Sequence, residues 1–521
     1  MNNLVYLLAG LAAALASSLS IAAAPTALTA AGAVRGQAES GIAVYKGIPY
    51  AAPPLGDLRW RDPAPPAPWE GVRDASSFAP ACMQEGVSMP GEALPAVSED
   101  CLYLNVWAPT ASHGQRLPVI VWIHGGGFTN GSAAMPLYHG DAFARQGVIF
   151  VTVAYRLGPL GFLAHPDLTR ESPQASSGNY GLLDQIAALR WVQTNIAAFG
   201  GDPGRVTVAG QSAGAMSVSI LMTSPQARGL FQRAIGESGG MFEPVQLAPQ
   251  YFLKNAESDG AHYLASLHVA SIAALRRLPA AALLKGTAGT VSHPVVEPRV
   301  MPLSPYDAFA CGRQHAIPLL VGSNAEEARA LTDGSKVEST TYRSDIERDF
   351  GPLPAPLIDA YPHATDAAAR QARLDFERDL RFGWDMWTWA RLQAQAGQQP
   401  VYYYAFERRP PFPSGSVYAG WGASHFAELW YVFDHLDQAA WQWQARDRSL
   451  ARAMSGYWTH FAKTGNPNGA RLPHWPAYLG ANGNVLHLGA RITTGTVTAI
   501  DSLRIFDGVY AGLRGKPACA A

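Results

Sequence analysis

The chain has 521 residues, 48% of them hydrophobic and 14 of them tryptophan, enough to build a large core. Thirty-nine lysines and arginines against 40 aspartates and glutamates leave a net charge of −1, so no strong field points to nucleic acid or an anionic membrane surface. Charged residues make up only 15%, and 39 prolines and 51 glycines are plentiful, which describes a folded protein rich in turns rather than a disordered one.

Leu4 to Ala16 is an apolar run of leucine and alanine, followed by Ser17, Ser18 and the small residues Ala22, Ala23 and Ala24. This pattern predicts a secretory leader over residues 1–24 and an exported protein, periplasmic or secreted, although Met1-Asn2-Asn3 lacks the usual basic residue. Thirteen apolar residues fall short of the roughly twenty that span a bilayer, and no later segment reads as a membrane helix. No stable membrane anchor is therefore expected. Four cysteines suit an oxidising compartment and allow three pairings. Cys82 and Cys101 are close in sequence, and a bridge between them would enclose 18 residues and contribute about 3 kcal/mol. Cys311 and Cys519 are then a possible second pair or two unrelated buried thiols.

Residues 44–70 are too rich in proline for regular structure and are expected to lie extended across a surface. Apolar strands are expected at Leu117 to Ile123, Val148 to Tyr155, Arg205 to Ala209 and Ile317 to Val321. Leu182, Ile186, Leu189, Val192, Ile196 and Phe199 recur at three- and four-residue intervals, the spacing of an amphipathic helix ending at Gly200-Gly201. This alternation predicts an α/β fold with a mostly parallel sheet covered by helices on both faces. Residues 245–300 and 335–400 are richer in alanine, leucine and arginine and are expected to be cap helices inserted between core strands. Length alone suggests about three domains. The absence of repeats and of low-complexity linkers instead favours one domain over residues 25–521.

The strand at 205–209 runs into Gly210-Gln211-Ser212-Ala213-Gly214. Two glycines flanking x-Ser-x remove Cβ atoms where a strand reverses sharply into a helix, lifting the serine oxygen clear of the backbone. Upstream, His124-Gly125-Gly126-Gly127-Phe128 follows the strand at 117–123. Three glycines carry an entropic cost, and such side-chain-free backbone can turn N–H groups toward a developing oxyanion. Among 14 histidines, His425 is preceded by Gly422, Ala423 and Ser424, as a side chain displayed from a loop would be. His435 is its main rival, and His460 fits the face of an amphipathic helix. A carboxylate after the 317–321 strand would be placed to orient the base, and local pattern leaves Glu326 and Glu327 open. The order serine, glutamate, histidine is the triad order of α/β-hydrolases.

These residues resemble the type B carboxylesterases, the family of para-nitrobenzyl esterases and cholinesterases. The likeness starts near residue 30 and runs through 46–60, 98–109, 119–128, 154–163, 178–203, 210–215, 423–433 and 461–468. It implies an α/β-hydrolase fold and a serine carboxylesterase acting on small-molecule esters, with no metal or cofactor required. It puts the catalytic roles on Ser212, Glu327 and His425, with Ala328 where the family has glycine. It puts the oxyanion donors on the N–H groups of Gly126, Gly127 and Ala213. It further implies a Cys82–Cys101 bridge, an Arg59–Glu99 ion pair and support of the acid by Ser238. The loop between Cys82 and Cys101 holds no aromatic residue to stack on a quaternary ammonium, and Gln211 stands where the family has glutamate. Choline specificity is therefore not expected. Candidate pocket residues are Phe128, Gln211 and Trp421, with Trp384 and Trp387 added, although helical tryptophans more often belong to a core. The alternatives are a specialist for feruloyl, phthalate or toxin esters and a non-catalytic binding protein, which the intact serine disfavours.

Overall fold

The structure is a computed structural model that describes residues 24–87, 89, 96–110, 114–480, 483–517 and 519. The leader expected over residues 1–24 lies, apart from Ala24, outside the described residues. An 11-stranded sheet organises the chain. In chain order its strands are β1 (Gln37–Glu39), β2 (Ile42–Pro49), β3 (Tyr103–Pro109), β4 (Leu117–Ile123), β5 (Ile149–Val153), β6 (Gly201–Gln211), β7 (Arg233–Glu237), β8 (Leu319–Asn324), β9 (Val401–Phe406), β10 (Val485–Leu488) and β11 (Ile492–Gly495). In space they run β11-β10-β9-β8-β7-β6-β4-β5-β3-β2-β1. Six successive parallel pairings join β10 through to β5, and antiparallel strands close both edges.

Both faces of the parallel block are buried, which explains why its strands are continuous apolar runs. Along β4, Val119, Val121 and Ile123 enter one hydrophobic cluster, and Ile120 and Trp122 enter the other. On the first side pack α1 (Tyr180–Asn195) through Leu182, Ile186, Leu189 and Val192, and α2 (Ala213–Leu221) through Val218 and Ile220. The same side takes α3 (Trp384–Gln395) through Met386, Trp387 and Trp389. On the second packs α4 (Ala445–Thr464) through Leu450, Met454, Tyr457, Trp458 and Phe461. The helix expected to reach Phe199 ends at Asn195, and Ile196–Phe199 tightens into a 3₁₀ turn closed by Gly200 at φ 86°. The expected cap helices lie between β7 and β8 and between β8 and β9.

One expectation is corrected and one open alternative is closed. The proline-rich segment is not irregular from residue 44, because Ile42–Pro49 pairs with β3 before the first consecutive prolines intervene. Cys311 and Cys519 are bonded to each other, as are Cys82 and Cys101, so the second pair is formed rather than left as two thiols.

Strand order reverses between β4 and β6. The chain leaves β4 to one side for β5 and later builds β6 on the other, so the loops after these two strands diverge. In open parallel sheets this switch point leaves a crevice at the carboxyl ends, where ligands bind. The glycine run follows β4 and Ser212 follows β6. Replacing Cys82 and Cys101 together by serine should lower stability by about 3 kcal/mol, since the bridge restricts the unfolded chain. A denaturant titration with an unmoved midpoint would contradict this.

Candidate active site

Ser212 sits between β6 and α2 with φ 57° and ψ −126°, a conformation that L residues rarely adopt. Two glycines make the turn possible. A Cβ on Gly214 would lie 2.0 Å from the Ile123 carbonyl oxygen, and one on Gly210 would lie 2.5 Å from the Gly214 carbonyl carbon. The Ser212 N–H donates to the Glu237 carbonyl at 2.9 Å, tying the elbow to β7. The Ser212 hydroxyl is partly exposed and makes no hydrogen bond among the described residues.

His425 and Glu327 are both buried and meet directly, His425 Nδ1 lying 2.6 Å from Glu327 Oε2. The other carboxylate oxygen accepts the Asn324 N–H at 2.7 Å, and the His425 N–H donates to the Glu327 carbonyl at 3.3 Å. The neighbouring Glu326 turns the other way. It accepts two bonds from Arg409 at 2.7 and 2.6 Å, pairs with Arg329 at 2.8 Å and accepts the Ala423 N–H at 2.9 Å. Burial opposes ionisation of Glu326, yet the Ala423 N–H and the guanidinium groups hold its carboxyl below the usual value. Of the two open glutamates, Glu327 contacts the histidine and Glu326 staples its loop.

Gln211 Nε2 lies over the imidazole, 3.2 Å from His425 Nε2 and 3.5 Å from Nδ1, and no hydrogen bond joins His425 to Ser212 Oγ among the described residues. Hydrogen bonds of this kind are often long in a free enzyme and tighten once substrate is bound. Phe382 stacks on the imidazole with ring centroids 4.5 Å apart and planes 21° from parallel. This ring comes from a π-turn, Asp379–Gly383, that precedes α3. Such single-turn insertions frequently occur at functional sites.

Gly126 and Gly127 have φ of 108° and 61°, and Ala213 opens α2. Among the described residues none of their three N–H groups is spent on a protein acceptor. His124 props this turn from below, stacked on Tyr155 with centroids 4.5 Å apart while the Tyr155 hydroxyl donates to the His124 carbonyl at 2.9 Å. Burial, opposed by the Gly125 carbonyl, pushes His124 down to about 4 and keeps it neutral near pH 7.

The remaining candidates separate cleanly. His435 contacts the Leu137 carbonyl and Asp141, and the His460 ring lies against Gly469, so neither joins His425. Arg59 and Glu99 form the expected pair, at 2.5 and 2.6 Å. The Ser238 hydroxyl is buried without a partner, and the Asn324 N–H takes the supporting place expected of it. Phe128 packs edge-on against Phe162, and Gln211 contacts His425. Trp421 meets Tyr418 and Phe412 at the side of an open groove of about 640 Å³ that Arg329 and Arg370 also line. Trp384 and Trp387 are core residues instead, packed against Tyr510 and Arg391, as burial of both side chains requires.

Comparison with known proteins agrees with this architecture. Residues 23–501 match the model of the carboxylesterase family. Fumonisin B1 esterase of Sphingopyxis macrogoltabida is 39% identical over 495 residues, covering 90% of this chain and 87% of that protein. Para-nitrobenzyl esterase of Bacillus subtilis (strain 168) is 38% identical over 485 residues, covering 89% and 94% respectively. A solved structure of a PNB esterase superposes with a TM-score of 0.80 at 36% identity, covering 92% of this chain and 99% of that one. The fold is thus that of the α/β-hydrolases. The chain belongs to the carboxylesterase family, and it is a carboxylic ester hydrolase.

Removing the Phe382 ring should loosen the imidazole. An aromatic pair of this kind contributes about 0.5–1.5 kcal/mol. Steady-state kinetics of Phe382→Ala should therefore show kcat lowered roughly two- to twelvefold with little change in KM; an unaltered kcat would count against a positioning effect.

Proposed function

We propose that this esterase works through an acyl-enzyme, with Ser212 as nucleophile, His425 as general base and Glu327 as the acid that orients it. The single observation that carries this reading is the 2.6 Å contact of His425 with Glu327 in the crevice that also holds Ser212. His425 Nε2 takes the hydroxyl proton as Ser212 Oγ attacks the ester carbonyl, and the carbonyl π pair moves to oxygen. The imidazolium is stabilised by Glu327, which stays ionised. The oxyanion is met by the N–H groups of Gly126, Gly127 and Ala213, where losing one donor costs about 10²–10³ in kcat. Collapse breaks the bond to the alcohol, which leaves with the proton from His425. Water then repeats the sequence on the acyl-enzyme and frees both acid and serine.

We also propose that residues 25–521 form one domain behind a leader that directs export to the periplasm or the medium. Strands from residue 37 to residue 495 share one sheet, and two disulfides fit an oxidising compartment. Among the described residues no helix is long and apolar enough to cross a membrane. A specialist substrate range is a second reading, favoured by the likeness to a fumonisin B1 esterase. A panel of p-nitrobenzyl and p-nitrophenyl esters run beside fumonisin B1 separates the two by their kcat/KM values.

Ser212→Ala should abolish p-nitrophenyl butyrate hydrolysis while circular dichroism remains native; substantial turnover by the folded variant would end the proposal. Glu327→Gln should lower kcat by roughly 10³–10⁴. Glu326→Gln should leave kcat within about tenfold, because it weakens exposed ion pairs and one loop contact. The reverse ranking would move the acid by one position.

A further inference from the structure

Beneath the candidate triad, the sheet carries a buried row of polar side chains that the chemistry above leaves unused. Gln211 of β6 pairs in register with Glu237 of β7, Glu237 with Gly322 of β8, and Gly322 with Tyr404 of β9. Residues paired in register share one face, so Gln211, Glu237 and Tyr404 project to the same side. Gly322 leaves room between them, since a Cβ there would lie 2.3 Å from the Tyr404 ring.

Glu237 is fully buried. Its Oε1 accepts the Trp458 indole N–H from α4 at 2.7 Å, and its Oε2 has no partner. Gln211 beside it has the complementary defect. Its Nε2 lies over the His425 ring, 3.2 Å from Nε2 and 3.5 Å from Nδ1, while its Oε1 is buried and unpartnered. Two donor-less buried oxygens on adjacent residues of one row are costly if Glu237 is ionised. One proton resolves both.

Burial of Glu237 favours that proton. The groups that share its interior are Glu327 from the β8 end, Glu428 from the histidine loop and Tyr404 from β9, with the neutral Trp458 from α4. On the opposite face α3 meets the strand through Trp389 against Gly236. No lysine or arginine pairs with Glu237 among the described residues. Burial, opposed by the Trp458 N–H, pushes the Glu237 carboxyl up to about 8. Burial and then the charge of Glu327 raise Glu428 as well.

We propose that Glu237 is a neutral carboxylic acid that donates its proton to Gln211 Oε1 and thereby positions the Gln211 amide against His425. Donors then run from Trp458 to Glu237 and from Glu237 to Gln211, whose amide nitrogen lies over the His425 ring. The ring proton on Nδ1 is held by Glu327, the tautomer a general base requires. Glu237 is therefore a positioning residue, and the inference rests on His425 being the base.

The test uses the full-length, disulfide-bonded protein with Glu237→Gln and Glu237→Ala. Glutamine reproduces the neutral acid, its Oε1 accepting from Trp458 and its Nε2 donating to Gln211; alanine does neither. The wild-type-minus-Glu237→Gln infrared difference at pH 7 should contain the carbonyl band of a protonated carboxyl group, with Glu428 cancelling. With p-nitrophenyl butyrate, wild-type kcat should fall above about pH 8 as Glu237 ionises, KM changing little. Glu237→Gln should lack that alkaline fall. Glu237→Ala should lose about tenfold in kcat at pH 7, and Glu237→Gln should recover most of the loss. Absence of the acid band, or an alkaline fall retained in Glu237→Gln, would overturn the neutral-acid assignment. Because the infrared readout does not depend on turnover, its failure is distinguishable from failure of Ser212 or His425.

Discussion

The first turn of α2 lies so close to the end of β4 that only backbone separates them. A side chain at 214 would collide with the Ile123 carbonyl, and one at 210 with the turn itself. This approach brings the serine elbow and the glycine turn after β4 into one crevice, although their strands leave the sheet toward opposite sides. It also holds Ser212 at a positive φ, a conformation costing of order 1–3 kcal/mol. Apolar burial on both faces of the parallel block offsets that cost. Exposed oxygen, free N–H groups and imidazole can share the crevice because the backbone there is too tight to fill it.

Charge is then distributed by the path of two short loops. Glu326 and Glu327 are neighbours, yet one faces arginines at the rim and the other faces His425 in the interior. The rim contacts join the loop after β8 to the loop before His425, the second strap being the Glu326 N–H on the Ala423 carbonyl at 2.9 Å. Inside, Glu327, Glu237 and Glu428 lie near one another, and among the described residues no lysine or arginine bonds to them. A low-dielectric site cannot hold three adjacent ionised carboxylates. Of the three, Glu327 has a peptide N–H on one oxygen and the imidazole on the other.

What was legible in the sequence follows from these constraints. The elbow and the glycine turn declare themselves because steric limits on backbone permit so few residues. The parallel strands declare themselves as unbroken apolar runs. The choice between His425 and His435, ten positions apart, has only the small residues before His425 as a local signal and depends on which loop folds over β8. The same holds for Glu326 and Glu327 until the family resemblance is applied. Phe382 was missed because a π-turn inserted ahead of α3 rotates one residue onto the imidazole without changing local composition. Trp384 and Trp387, offered as pocket walls, belong to the core because α3 buries the face that carries them. The Ser238 hydroxyl lacks its expected contact, and the acid is held by a peptide N–H that no side-chain pattern reveals.

The proposed chemistry requires Ser212, the glycine turn and His425 to converge on one reacting carbonyl. A crystal structure of the protein inactivated by a fluorophosphonate tests this most directly. Phosphorus should be bonded to Ser212 Oγ, with the phosphoryl oxygen about 2.7–3.1 Å from the N–H groups of Gly126, Gly127 and Ala213. His425 Nε2 should then turn from Gln211 toward the phosphonylated oxygen. Phosphorus on another residue, or a phosphoryl oxygen directed away from those three N–H groups, would contradict it.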